Sequence, residues 1–289
     1  MPNVNNLDKT KDISRGIVLP LQPESHLDFN GIGLALHFLL GNTIVLHTGL
    51  TEFWFGWRVK KIFPEKKDLA GYCRGEGGRL DLKRLSAEQG IHLWIHGEVV
   101  DRSVIILLFD ASKDEQASSI TIPFSIEDEL VGFRQAFMHL LADCGFPFPE
   151  EQKKHALWPE KISTRGIDIL GRALETFYLY SSYGGQGEID LRLFKETVAI
   201  APDSFMGQDL LGWAYYRNKC YNEAKASFLK ALQANPNGTG AMSGLMWCGV
   251  FTKNREEALY WAERKAEVRQ EDIEAAKQKV LNRLEKNTS

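Results

Sequence analysis

SFMGQDLLGWAYYRNKCYNEAKASFLKALQANPN, residues 204–237, reads as two short amphipathic helices folded back on one another. Leu211, Gly212 and Tyr215 fall at i, i+1 and i+4 in its first half, and Ala224, Phe228 and Ala231 at i, i+4 and i+7 in its second. Gly212 and Ala224 leave room for the helices to approach, and Phe228 is the side chain that fills the space between them. Asn235-Pro236 ends the second helix, because proline has no N–H to give and clashes with the preceding turn. A hairpin of this size cannot bury its apolar face alone, so the stretch requires stacked neighbours.

The spacing resembles the tetratricopeptide repeat, whose period is about 34 residues. One period back from Pro236 lies Pro202, which closes an earlier unit at residues 171–202 with Leu174, Phe177 and Phe194 at the apolar positions. That unit departs from the pattern at Ser181 and Asp190. One period forward, residues 239–270 keep Leu245, Ala258 and Ala262 but carry Gly249 where the aromatic belongs. Residues 271–286 then place Ile273, Ala276, Val280 and Leu284 on a single stripe, the pattern of a capping helix with one face for the stack and one for water.

The resemblance implies that the first helix of each unit lines a concave groove. In the middle unit this brings Met206, Asp209, Trp213 and Tyr216 to the groove with Arg217 beside them, and in the third unit Trp247. Tryptophan and tyrosine are rigid, large anchors of the kind that dominate interfaces. The implied partner is another protein, whose peptide or helix docks between Trp213 and Trp247. The lysine and asparagine set that clamps a terminal carboxylate in chaperone-binding repeats is absent. The alternative, that both tryptophans simply pack on a neighbouring helix, stays open.

The N-terminal half reads differently. After a polar tail at residues 1–14, Gly16–Pro20 is a short buried strand, residues 31–40 a helix capped by Asp28 or Asn30, and Thr43–His47 a second strand. Residues 68–79 read as a glycine-rich loop. A helix over Leu80–Gln89 closes at Gly90, and strands at Ile91–Val100, Ser103–Phe109 and Gln116–Phe124 form a meander whose first turn is Asp101-Arg102. A helix over Glu127–Ala142, capped by Ser125, turns Leu130, Phe133, Phe137, Leu140 and Leu141 inward. The order predicts an α/β layer with a mixed sheet.

The opening strand, the segment LSAEQGI (residues 85–91) leading into WIHGEV (residues 94–99), and the hairpin through Ser103–Asp110 resemble the amino-terminal domain of TolB and related domains that precede tetratricopeptide repeats in bacterial proteins. The likeness covers residues 15–146 and brings no catalytic motif. Residues 147–162, with Pro147, Pro149 and Pro159 around EEQKKH, read as the linker to repeats at 163–289.

Composition narrows the classes of function. The chain has 289 residues, 44% of them hydrophobic and 25% charged, as in a soluble protein with an ordinary core. Residues 1–150 hold 15 basic and 20 acidic side chains, net −5, and the remainder is net +2, so neither half carries a nucleic-acid footprint. The N-terminus lacks the apolar stretch of a secretory signal, and no apolar run approaches the ~20 residues of a membrane span. Four scattered cysteines, Cys73, Cys144, Cys220 and Cys248, lack zinc spacing and read as free thiols in a reducing cytoplasm.

Candidate chemistry is sparse. Gly71, Gly75, Gly77 and Gly78 lack the lysine–hydroxyl pair of a phosphate loop. His92 and His96 on a strand share a face but stand about 13 Å apart, too far for one metal. Glu127, Asp128 and Glu129 sit at a helix start, where the macrodipole favours them. No nucleophile motif is present, so the sequence supports no enzyme, cofactor or metal.

Phe53–Phe63 is the one unusual segment. Trp54, Phe55 and Trp57 beside Arg58 read as a secondary interface, a protein contact or a homodimer surface of the N-terminal domain. The sequence thus predicts an α/β domain followed by an all-α repeat array, acting as a non-enzymatic scaffold or adaptor. Two alternatives are carried. One is a regulatory protein whose N-terminal domain senses a nucleotide or other small ligand. The other is single-stranded nucleic-acid binding through residues 53–67.

Overall fold

The computed structural model describes residues 16–23, 31–47, 62–76, 79–91, 93–100, 103–111, 115–123, 131–143 and 162–286. A mixed sheet with flanking helices occupies the N-terminal half. It is followed by seven consecutive helices from residue 164 onward.

The sheet is built on β3 (Leu93–Val100). Two short strands, β1 (Gly16–Val18) and β2 (Gln22–Pro23), run parallel along one of its edges, with Ile17 opposite Trp94 and Pro23 opposite Val99. On the other edge β4 (Ser103–Asp110) and β5 (Glu115–Pro123) run antiparallel in sequence order. Alternation assigns the faces. Ile95, Val99, Val104, Ile106 and Leu108 are buried on one face, where α1 (Ile32–His47) and α4 (Val131–Asp143) belong. On the opposite face Trp94 is sealed by α3 (Leu82–Gln89), its indole N–H donating to Ser86 Oγ at 2.7 Å. Gly90 closes α3 in the left-handed conformation (φ 62°) that glycine adopts without a Cβ penalty.

Two N-terminal expectations are corrected. Thr43–His47 is not a strand, because α1 runs through Gly41-Asn42 to His47. The β-branched run suggested a strand, but a weak local propensity yields when a helix has a partner to pack on. Residues 66–73 are a helix, α2 (Lys66–Cys73), rather than part of a loop, with Leu69, Tyr72 and Cys73 buried. Its start is a reciprocal cap between Glu65 and Asp68, which the embedded Gly71 disguised. The helix read over Glu127–Ala142 is described from Val131 onward. Its Phe133, Phe137 and Leu140 are buried, while its expected start and cap lie outside the described residues. The same holds for the tail, the Asp28 or Asn30 cap, and all of the linker but its final residue.

The helical half begins with α5 (Thr164–Ser182), capped by Ser163, whose hydroxyl accepts the Gly166 N–H at 3.2 Å. It pairs with α6 (Arg192–Ile200). Next come α7 (Phe205–Arg217) with α8 (Tyr221–Ala234), then α9 (Thr239–Phe251) with α10 (Arg255–Arg269), and finally α11 (Ile273–Lys286). The first helix of each pair closes the same way. Backbone N–H groups of Gly185, Cys220 and Asn254 each reach back to the carbonyl five residues earlier, on Tyr180, Tyr215 and Gly249, at 2.8–2.9 Å. Lys219 (φ 62°) and Lys253 (φ 58°) take the left-handed position in the second and third of these turns. The same left-handed turn thus recurs at corresponding points of two successive hairpins.

Phe228 is the centre of the stack. It is fully buried, and a Cβ added to Gly212 or to Gly244 would come within 2.6 or 2.2 Å of its ring. One aromatic side chain on α8 therefore fills the space against both α7 and α9. The ion pair Lys225–Glu257 ties α8 to α10 on the outer side.

The two halves share one continuous apolar core. Helix α1 lies between the sheet and α5, and the backbones touch. A Cβ on Gly171 would fall 1.7 Å from Gly31 O, and one on Gly31 would fall 2.0 Å from Asp168 O, so only glycine fits either position. Around that contact the Gly31 N–H donates to Asp168 Oδ1, and the Tyr178 hydroxyl lies 3.2 Å from His37 Nε2. The Tyr183 hydroxyl reaches the carbonyls of Phe63 (2.6 Å) and Glu65 (2.9 Å), and Arg74 pairs with Glu175 at 3.0 Å. Burial drives the His37 pKa down to about 3 against the opposing influence of the Leu19 and Val18 backbone, so the imidazole is neutral.

Candidate functional site

The residues expected to line the groove divide into two groups. Met206 (0% exposed) and Asp209 (1%) are interior, which corrects their reading as partner contacts. The cause is the neighbouring helix. Gly240, near the start of α9, lets that helix come so close that a Cβ there would lie 3.1 Å from Asp209 Oδ2. Burial pushes the Asp209 carboxyl up to about 8, opposed by the Trp213 side chain, which hydrogen-bonds to it, while its Oδ1 has no partner among the described residues. Asp209 is thus held as a neutral acid at neutral pH inside the stack.

Trp213 and Tyr216 are half-buried and Arg217 is exposed. Trp213 sets its ring edge-on to Phe228 (5.3 Å between centroids) and to Tyr216 (5.4 Å). Tyr216 continues the chain of rings to Tyr221 and Phe251 at 5.8 Å each, and those two stack with planes 13° apart. Phe251 is 42% exposed. The aromatic surface therefore lies at the ends of α7 and α9 and the start of α8, by the hairpin turns, rather than in the middle of the groove. Sequence reasoning missed Tyr221 and Phe251. Their signal was present, an aromatic beside each left-handed turn, Tyr221 after Lys219 and Phe251 before Lys253, but both positions read as turn residues in the sequence.

Trp247 has different surroundings. Half-buried, it lines a pocket of about 380 Å³ between α9, α10 and α11, together with Met246, Ala262, Lys265, Ala276 and Lys279. Helix α11 matches the capping pattern, yet of its apolar stripe only Val280 is fully buried. Ile273, Ala276 and Leu284 are half-buried. Lys265 has its pKa lowered, first by burial and then by Arg269 and Lys279, with Glu271 opposing.

In the N-terminal half, a smaller pocket of about 230 Å³ opens beside α3, lined by Gln22, Tyr72, Arg79, His96, Gly97 and Glu98 over Leu19 and Leu107. The His96 pKa is lowered by burial and by the Arg79 charge. His92 lies outside the described residues, as do Gly77 and Gly78 and the proposed secondary interface of Trp54, Phe55, Trp57 and Arg58. A third cleft of about 520 Å³ runs between α6 and α8 past Pro202, Gln208 and Lys230.

Among the described residues, no group of three or more histidine, cysteine or acidic side chains gathers as a metal site, and no helix is long and apolar enough to cross a membrane. Cys73, Cys220 and Cys248 are free, with burial raising the Cys73 and Cys248 thiols to about 12. No protein-family model matches the chain, and no curated protein matches it either.

Proposed function

We propose that the chain is a non-enzymatic protein–protein interaction scaffold of tetratricopeptide type, working as an adaptor or assembly factor, with an N-terminal domain of TolB-like kind. The observation that carries this reading is the run of rings Trp213–Tyr216–Tyr221–Phe251, left partly exposed beside Arg217 on a rigid stack of hairpins. Rigid aromatics next to an arginine are the composition of interface anchors, and they lose little conformational entropy when covered. The partner segment lies along the hairpin-turn end of the groove, because Met206 and Asp209 fill its middle. The free thiols agree with a reducing, cytoplasmic setting.

The test is capture from native lysate by the full chain and by its Phe251→Ala and Tyr216→Ala variants, read by mass spectrometry. Partners retained by the parent and lost by both variants support the reading. An unchanged retained set, with the variants still folded by circular dichroism, overturns it.

A second reading, a ligand-sensing N-terminal domain, has one observation in its favour: the pocket beside α3 places Arg79, His96 and Glu98 around an apolar floor. A ligand that binds only the folded chain raises its melting temperature. A metabolite panel that shifts the parent and not Arg79→Gln would support it.

A further inference from the structure

The pocket under α11 is a gap where a cap should close. Small side chains, Ala275 and Ala276, stand on the wall facing Met246 and Trp247, so the apolar floor of Met246, Trp247, Ala262 and Val280 is left with about 380 Å³ unfilled. Its lining carries two lysines, Lys265 and Lys279, and two carboxylates, Glu271 and Asp272, and the carboxylates are engaged elsewhere. Asp272 is used as the cap of α11, accepting the Ala275 N–H at 2.8 Å, and Glu271 is held by Arg269 at 3.0 Å. Lys277, further along α11, is held by Glu263 at 2.7 Å. Lys265 and Lys279 line the same pocket and have no carboxylate partner among the described ion pairs. Two uncommitted cations thus stand over an apolar floor, on the edge of the repeat stack.

We infer that this pocket is a recognition site for an acidic segment of a partner protein, taking an apolar side chain against Trp247 and Met246 and the neighbouring aspartate or glutamate between Lys265 and Lys279. Charge complementarity selects the occupant. Glu271 and Asp272 in the lining already have partners in Arg269 and the Ala275 N–H, so the local complement left open is to Lys265 and Lys279: a basic segment would add like charge to them, and a purely apolar one would leave them without partners. The inference rests on the scaffold reading and names the chemistry of what the scaffold holds.

The test is selection of a phage-displayed library of random peptides on the full chain, with the enriched peptide then titrated by fluorescence anisotropy. The expected result is enrichment of an acidic residue beside an aromatic or long aliphatic one, with affinity falling as salt is raised. Lys279→Glu, on the exposed side of α11, weakens the enriched peptide at least tenfold, and so does Lys265→Met, which keeps the apolar stem. Ala276→Leu fills the gap and removes binding while the melting temperature holds or rises, which separates plugging from unfolding. Enrichment of basic or uncharged peptides, no enrichment, or binding indifferent to all three variants overturns the inference. Lysate capture that depends on Phe251 while the library yields no acidic–apolar consensus would overturn the pocket alone and leave the scaffold standing.

Discussion

The helical array ends in two opposite ways. At its N-terminal end α5 is sealed against α1 by backbone-to-backbone contact at Gly31 and Gly171 and by Asp168 and the Tyr178–His37 pair. At its C-terminal end α11 covers α10 through a sparse stripe and leaves a gap beside Trp247. The sealed end makes the sheet and the stack one body, and it admits no change of volume. The open end has polar and apolar groups still uncommitted. In a stack of hairpins, the end that is anchored supplies rigidity, and the end that is not supplies surface.

The largest effect should appear at the sealed end. Gly171→Val places a side chain inside the Gly31 carbonyl, and overpacking against backbone has no rotamer to escape into, so at least about 3 kcal/mol is lost. Little folded protein should be recovered. A Gly171→Val chain with parental denaturant midpoint would break the contrast drawn between the two ends.

The next effect is pH dependence, set by two buried groups with opposite signs. Asp209, raised in the fold from 3.8 to about 8, binds a proton more tightly folded than unfolded, so its stability contribution is lost as pH rises between those values. His37, lowered from 6.5 to about 3, does the reverse, and its contribution is lost as pH falls between them. From about 4 to 6.5 the slopes oppose, and above 6.5 only Asp209 acts. Stability should be nearly flat over the acidic interval and then fall toward pH 8, by at most about 1.4 kcal/mol per pH unit. In Asp209→Asn the fall disappears and the His37 rise is uncovered, which urea midpoints across that range would read.

Tyr178→Phe removes the hydroxyl 3.2 Å from His37 Nε2, at a cost of about 1 kcal/mol for one hydrogen bond. It sharpens the contrast by weighing the polar part of the seal apart from the glycine contact. At the open end, Ala276→Leu should gain about 1 kcal/mol by covering apolar surface, visible as a higher melting temperature. A loss there would mean the gap is narrower than its lining implies.

Much of this was legible in residues 204–237. The hairpin, its stop at Pro236 and the role of Phe228 follow from spacing and side-chain size, and the meander follows from alternation. The full reach of α1 and the existence of α2 were not. Gly41 and Gly71 looked like ends, and only the partners packed on each helix decide that they are interior. The same limit applied to the site. Asp209 and Met206 were expected to line a groove, and nothing within α7 reveals that Gly240 on the next helix comes near enough to cover Asp209. Trp247 and Tyr216, named in the sequence as groove residues, are half-buried, and their companions come from other helices: Lys265 and Lys279 for the first, Phe251 and Tyr221 for the second. Periodicity within one element carries no information about those distances.

The position of the Phe228 ring, lodged against Gly212 and Gly244 at once, decides how the stack comes apart. A hairpin whose central filler is shared with its successor does not fray by itself. Amide protons in α7, α8 and α9 should therefore exchange with solvent through a single opening event, with one shared free energy, while those of α11 exchange sooner and alone.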